Sequence, residues 1–173
     1  IASAGGESYF ENTEMETLHR YLDFINVMAY DFTGAWSELT GHHTPLYRSN
    51  LSPDREASVD YIQRHLRAGI PPEKLVLGVA FYGRSWKGVE GWTQAINRPY
   101  ASYDLDLPYA RIVSEYLGSP DFERRWDEAA RAPYLWDRDS GRFVTYDDPR
   151  SLREKAEFVK KLGLGGGMYW DHT

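Results

Sequence analysis

Two apolar runs without polar alternation, residues 24–32 (FINVMAYDF) and 75–82 (LVLGVAFY), most limit what this chain can fold into. A strand with one wet face alternates apolar and polar residues, whereas a run apolar at consecutive positions suits a strand covered on both faces. Helices crossing between parallel strands provide that cover, and helical patterns do flank the two runs. Residues 9–21 read as a helix, with Met15, Leu18 and then Leu22 spaced i, i+3, i+7 on one face. Ser58 reads as the N-cap of a helix carrying Val59, Ile62 and Leu66, closed by Gly69 and the Pro71-Pro72 pair. Residues 1–4 read as a strand end before a Gly5-Gly6 turn. Residues 33–55, with Gly34, Gly41, Pro45 and Pro53, read as a long loop.

The pattern changes at Ser85. Residues 85–147 are charged and aromatic, with a helical stretch at 109–117. A hairpin is expected to pair 133–136 with 143–146 across Asp139-Ser140-Gly141. This segment reads as an inserted α+β subdomain between two flanking parts, 1–84 and 148–173. After it, Asp148-Pro149 supply an N-cap and first helical residue. The helix that follows is expected to turn Leu152, Ala156 and Val159 inward and to end at Gly163, before a last strand over 164–170 (LGGGMYW). The resulting order defines an α/β protein with a parallel sheet. An open doubly wound sheet and a closed barrel fit that order equally well.

Composition narrows the partners. The net charge is −6 and no Lys/Arg cluster is present, which argues against a nucleic-acid partner. With no cysteine, disulfides and thiolate metal sites are excluded. No apolar run reaches the ~18 residues of a membrane span, and residues 1–20 lack the pattern of a signal peptide. Of the 6 Trp, 13 Tyr and 7 Phe some must be core, but so many flat side chains also suit a surface that stacks on sugar rings, and composition alone does not separate the two.

Candidate functional residues gather at strand ends: Met28, Tyr30 and Asp31 on the first run, Tyr82 and Arg84 on the second, Trp170 on the last. Taken singly, Met28 and Trp170 read more readily as core packing and Asp31 as a cap or turn residue. In a (β/α)8 barrel they share the active-site rim, because all strands end at one mouth. At these residues the sequence resembles glycoside hydrolase family 18, the chitinases and chitinase-like proteins. The resemblance rests on FINVMAYDF followed by GAW and GHHTPLY, on KLVLGVAFYGRSW, and on VTYDDPRSLREKAEFVKKLGLGGGMYW, in that order. It implies a partial (β/α)8 TIM barrel, about strands 5 to 8, with the family's α+β insertion domain at 85–147. The family's acid/base glutamate closes a DxxDxDxE motif on the fourth strand. No glutamate here is preceded by aspartates at those spacings, so that motif is expected to lie outside this segment.

By the same resemblance, the parent hydrolyses β-1,4-linked N-acetylglucosamine polymers by a substrate-assisted retaining mechanism. Tyr30 and Asp31 would position the acetamido group, while Met28, Trp36, Tyr82, Arg84 and Trp170 would bind substrate. This segment alone is expected to be inactive. A non-catalytic chito-oligosaccharide-binding lectin is the alternative, and a scaffold without ligand a third. No cofactor is implied. The expected partner is chitin or its oligomers, with no nucleic acid and no membrane, and with self-association or pairing to a missing barrel half. The resemblance implies secretion. The His42-His43 pair invites a metal, but no third ligand lies at useful spacing, so loop packing is expected. Asp104 and Asp106 read as a solvated turn.

Overall fold

The computed structural model describes residues 1–91 and 93–172. They form an α/β structure with two sheets. The first is parallel, with strands β1 (Ala2–Ser3), β2 (Ile25–Val27), β3 (Leu75–Ala80) and β9 (Gly166–Trp170) side by side in the order β1-β2-β3-β9. The second is antiparallel, in the order β5-β4-β8-β7-β6, built from β4 (Tyr82–Lys87), β5 (Ser102–Pro108), β6 (Glu123–Asp127), β7 (Ala132–Asp137) and β8 (Arg142–Thr145). The chain passes from one sheet to the other at Phe81. Its N–H bonds to the Trp170 carbonyl of the parallel sheet, and its carbonyl accepts from Tyr109 N.

The apolar runs do form the interior. Ile25, Val27, Leu75 and Leu77 are fully buried and share a core with Met15, Ile62 and Phe158. Each such side chain contributes about 1.5–3 kcal/mol by leaving water. Gly78 holds the centre of β3 because nothing larger fits: a Cβ there would stand 2.6 Å from the Val27 carbonyl and 2.9 Å from the Tyr30 ring.

Several expected elements are shorter or differently placed. The helix expected over 9–21 is two short helices, α1 (Glu7–Glu11) and α2 (Met15–Leu18), then a 3₁₀ turn, His19–Tyr21. Asn12 breaks it by turning its amide back onto the Ser8 carbonyl, a local bond that competes with helix continuation. Met15, Leu18 and Leu22 still reach the same core. The run 24–32 pairs only over β2. Beyond Met28, whose N–H still bonds to the Ser3 carbonyl, the backbone leaves the ladder, and Asp31 takes a left-handed φ of 63°. In α3 (Ser58–Arg67), Ser58 is the first helical residue and not the cap. Its Oγ donates to the Pro45 carbonyl at 2.7 Å, while Asp60 accepts from the Ala57 N–H at the N-cap position.

The expected hairpin is present as β7 and β8, paired from Tyr134↔Thr145 to Asp137↔Arg142. The stretch 109–117 forms a one-turn helix, α4 (Tyr109–Arg111), running into a π-helical turn, Ile112–Tyr116. Asp104 and Asp106 lie on β5 and not in a turn; Asp104 is held by Lys87 at 2.5 Å and Arg142 at 3.4 Å.

Helix α5 (Pro149–Leu162) starts and stops as its sequence dictates. Asp148 caps it by accepting from Ser151 N at 2.8 Å, and Gly163 closes it at φ 65°. Its expected face, Leu152, Ala156 and Val159, does turn to the parallel sheet, where it lines an apolar hollow with Leu77, Val79 and Phe81, but it is left partly uncovered. Ser151, Lys155 and Phe158 are buried, Ala156 is exposed, and Leu152 and Val159 are half-buried. Lys155 is the unexpected buried residue: its ammonium is fully enclosed and donates to Asp147 Oδ2 at 2.6 Å, to the Thr44 carbonyl at 2.8 Å and to Thr44 Oγ1 at 2.7 Å. All three ammonium protons are satisfied, the condition under which a buried charge is tolerated. Replacing Lys155 by Met leaves Asp147 buried without its counter-ion and is expected to cost about 3–5 kcal/mol. The measurement is the urea midpoint, with the exposed Lys160→Met as a control expected to stay within about 0.5 kcal/mol of the parent.

Candidate active site

Because β2, β3 and β9 are parallel, their C-terminal ends lie along one border of the sheet, and the second sheet rises from that border. A hollow of about 270 Å³ sits in the angle, lined by Asp31, Tyr82, Arg84, Asp106, Pro108, Trp170 and Asp171. Four residues singled out from the sequence therefore converge: Asp31 after β2, Tyr82 and Arg84 on β4, and Trp170 at the end of β9. Trp36 stands beside them, with the Arg84 guanidinium 4.9 Å from its ring centre. Tyr30 does not line this hollow but packs edge-on against Tyr82, ring centres 6.3 Å apart. Met28 also lies outside the lining, half-buried, with its N–H on the Ser3 carbonyl.

Asp31 is the centre of the polar network. Tyr82 donates its hydroxyl to Asp31 Oδ1, and Arg84 donates to the same oxygen through Nε at 3.1 Å and Nη2 at 2.7 Å. Among the described residues nothing donates to Oδ2, and the side chain is 39 % exposed. One oxygen of the carboxylate is thus consumed by the protein and the other is offered to the hollow. Burial alone would raise the Asp31 carboxyl, but the hydrogen bonds from Tyr82 and Arg84 and the Arg84 charge outweigh it and hold it well below the ordinary carboxylate range. Burial likewise raises the Tyr82 hydroxyl, and the Asp31 charge beside it raises it further, so Tyr82 stays a donor at any physiological pH.

Arg84 reaches both sheets. Besides Asp31 it contacts Asp106 Oδ1 at 3.0 Å and donates to the Tyr103 hydroxyl at 3.0 Å, and Tyr103 in turn donates to Asp106. Asp106, Tyr103, Pro108 and Asp171 were not legible as site residues. Tyr103 and Asp106 are three apart, and a register shift in the β4–β5 ladder between Arg84 and Trp86 accompanies their convergence on Arg84. His42 and His43 are both buried, as loop packing requires, but each is also engaged with a carboxylate. His42 Nε2 lies 3.3 Å from Asp127, and His43 Nδ1 lies 3.8 Å from Asp31. The described residues hold no cluster of three or more His, Cys, Asp or Glu side chains fit to bind a metal.

Fixed donors, one free carboxylate oxygen and two largely exposed tryptophans, Trp170 in the lining and Trp36 beside it, could meet a neutral, hydroxyl-rich, ring-shaped ligand. The chain belongs to glycosyl hydrolases family 18, whose family model matches residues 1–173. It is 35% identical to chitinase A1 of Niallia circulans over 99% of this chain and 26% of that protein. It is 29% identical to chitinase B of Serratia marcescens, over 98% and 44%. The chain thus spans less than half the length of these relatives. Among solved structures it matches an N-acetylglucosaminidase from Paenibacillus barengoltzii with a TM-score of 0.92 and 38% identity, over 99% of this chain and 50% of that one. It matches a group IV chitinase of Ostrinia furnacalis in complex with allosamidin with a TM-score of 0.86 and 28% identity, over 99% and 49%.

The electrostatics give a testable sign. A carboxyl held below its ordinary value contributes stability that is present above that value and is lost as pH falls through the lowered one. Replacing Arg84 by Met removes two hydrogen bonds and the charge from Asp31, so its midpoint is expected to rise toward the ordinary value of about 4. Carboxyl ¹³C titration reads this directly, and acid unfolding of the variant is expected at higher pH than in the parent.

Proposed function

We propose that the protein containing this chain hydrolyses β-1,4-linked N-acetylglucosamine polymers, with this segment supplying the substrate-binding wall of the catalytic cleft. The observation that carries the reading is the meeting of Asp31, Tyr82, Arg84 and Trp170, distant in sequence, around one sugar-sized hollow. Membership of the family and the names of the relatives support it. The four parallel strands are read as part of a (β/α)8 barrel, with residues 85–147 as its insertion domain. Strands β1 and β9 each have one neighbour among the described residues, and an unpaired strand edge recruits another strand. In the proposed whole, strands from the rest of the protein occupy those edges; the segment by itself would satisfy them by self-association.

The chemistry follows from what the cleft offers. In a substrate-assisted retaining reaction the acetamido carbonyl oxygen attacks C1 of its own sugar. A glutamic acid, supplied by the part of the protein outside this segment, protonates the leaving oxygen as the glycosidic bond breaks. Water then opens the cyclic intermediate with retention. Tyr30 and Asp31 hold the acetamido group in line, a positioning effect that acts on the barrier and not on affinity alone. Asp31 stays anionic and is not the proton donor. Trp170 forms the apolar floor with Met28 behind it, Tyr82 and Arg84 meet the sugar from the side of the second sheet, and Trp36 stacks on the unit beyond the cleaved bond. The proposed setting is extracellular. Among the described residues no helix is long and apolar enough to cross a membrane.

The test is release of a fluorogenic leaving group from a chitotrioside by the full-length protein. Turnover is expected, and Tyr30→Phe is expected to lower kcat about 10²-fold. The 173-residue segment alone is expected to show none. Binding by the full-length protein without turnover would replace this reading by that of a lectin, and no binding would end both.

A further inference from the structure

His43 stands behind the cleft, fully buried, with its two ring nitrogens facing two acceptors. Nε2 lies 3.2 Å from the Tyr82 carbonyl, and Nδ1 lies 3.8 Å from Asp31 Oδ1 without a hydrogen-bond partner among the described residues. A carbonyl can only accept, so the closer contact places the proton of neutral His43 on Nε2. Nδ1 then presents a lone pair to a carboxylate oxygen. Either neutral tautomer leaves one nitrogen opposed to an acceptor; only the imidazolium satisfies both. The ring is fixed in this pose by its tilted packing on Tyr82, centres 5.0 Å apart, and by a bond from its own backbone N–H to Thr145 Oγ1 at 3.3 Å.

We propose that His43 is a positioning residue that makes ligand binding at Asp31 proton-linked. With Nδ1 bare, Asp31 keeps its charge for a sugar hydroxyl at Oδ2. With Nδ1 protonated, His43 becomes a further donor to Oδ1, draws charge toward the protein side and weakens the bond at Oδ2. This rests on the chito-oligosaccharide reading of the cleft. Three charged groups act on the ring: Asp31 from the end of β2, Asp147 from the segment after β8, and Arg84 from β4. Burial holds the imidazole below its ordinary value; Asp31 and Asp147 oppose that and Arg84 adds to it. His43 is accordingly neutral at neutral pH and takes its proton on acidification, while Asp31 is still ionised.

Linkage is reciprocal: if the proton weakens the ligand, the ligand must weaken the proton. The experiment uses the full-length protein and a thio-linked chitotriose that resists hydrolysis. Calorimetric titrations from about pH 7 downward, through the His43 midpoint that NMR gives for the native protein, are expected to show affinity falling about five- to tenfold. The His43 imidazole, followed by NMR, is expected to titrate at lower pH with the ligand bound than without it. In His43→Gln the amide keeps a donor for the Tyr82 carbonyl but cannot take up a proton, so the variant is expected to bind with the acid-dependent loss removed. The same loss in His43→Gln, or a His43 midpoint unmoved by ligand, overturns the proposal and leaves the sugar cleft standing. The NMR titration decides the matter on the native protein should the variant fail to fold. Absence of binding by the native protein at every pH overturns the cleft reading and this proposal with it.

Discussion

The ion pair between Asp31 and Arg84 is the strut on which the cleft depends. It joins the end of a parallel strand to the second strand of a different sheet, 53 residues later in the chain. Asp31 pays for its place with a left-handed backbone, which costs an L-residue roughly 1–2 kcal/mol and which Asp tolerates better than most. Hydrogen bonds to a charged group contribute about 1.5–3 kcal/mol each, so the two from Arg84 more than offset that cost. The arrangement also fixes direction. Because Tyr82 and Arg84 all converge on Oδ1, rotation of the carboxylate is blocked and Oδ2 keeps a single outlook.

The long loop between β2 and α3 is ordered by the same kind of interaction. Thr40 donates to the Ala95 carbonyl and accepts from Arg98 N, tying the loop to the segment between β4 and β5. His42 and Ser49 both meet Asp127 at the end of β6. Burial would raise that carboxyl, yet the two side chains and the Ala130 N–H bring it down to about 2. Thr44 donates to Asp147 and accepts from Lys155. A loop without regular structure has backbone and side-chain polar groups to satisfy, and here the partners come from the second sheet, from the segments beside its strands and from α5. The loop that carries Trp36 is therefore held at three separate points.

What the sequence disclosed, and what it withheld, divides along the range of the interactions. Apolar periodicity is local, and it located β2, β3, β9 and the core faces of α2 and α3. Caps are local too: Asp148 with Ser151, and Gly163, were readable because each acts within a few residues. Lys155 was not. A lysine in an amphipathic helix reads as the wet face, and only Asp147 and Thr44, the latter 111 residues away, turn it inward. Asp104 and Asp106 were read as a turn, since two acids in three residues disfavour a strand; Lys87, Arg142 and Arg84 reverse that preference from across the ladder. The candidate site was legible through its family motifs at Asp31, Tyr82, Arg84 and Trp170. His43 was dismissed because its partners, an aspartate 12 residues before and a carbonyl 39 residues after, meet only in three dimensions.

The two sheets cannot vary independently. Gly83 lies between Tyr82 and Arg84 on β4, and a Cβ there would stand 2.7 Å from the Thr145 carbonyl and 2.7 Å from Ile112. Any side chain at 83 must push β4 away from β8, and the residues displaced are the two that grip Asp31. Thr145 lies on the same ladder and accepts the backbone bond from His43. A change confined to the second sheet is therefore transmitted to Oδ1 of Asp31 through both Arg84 and His43. The hollow holds its shape only while the β4–β8 register is kept, so the second sheet is as much a part of the site as the strands whose ends define it.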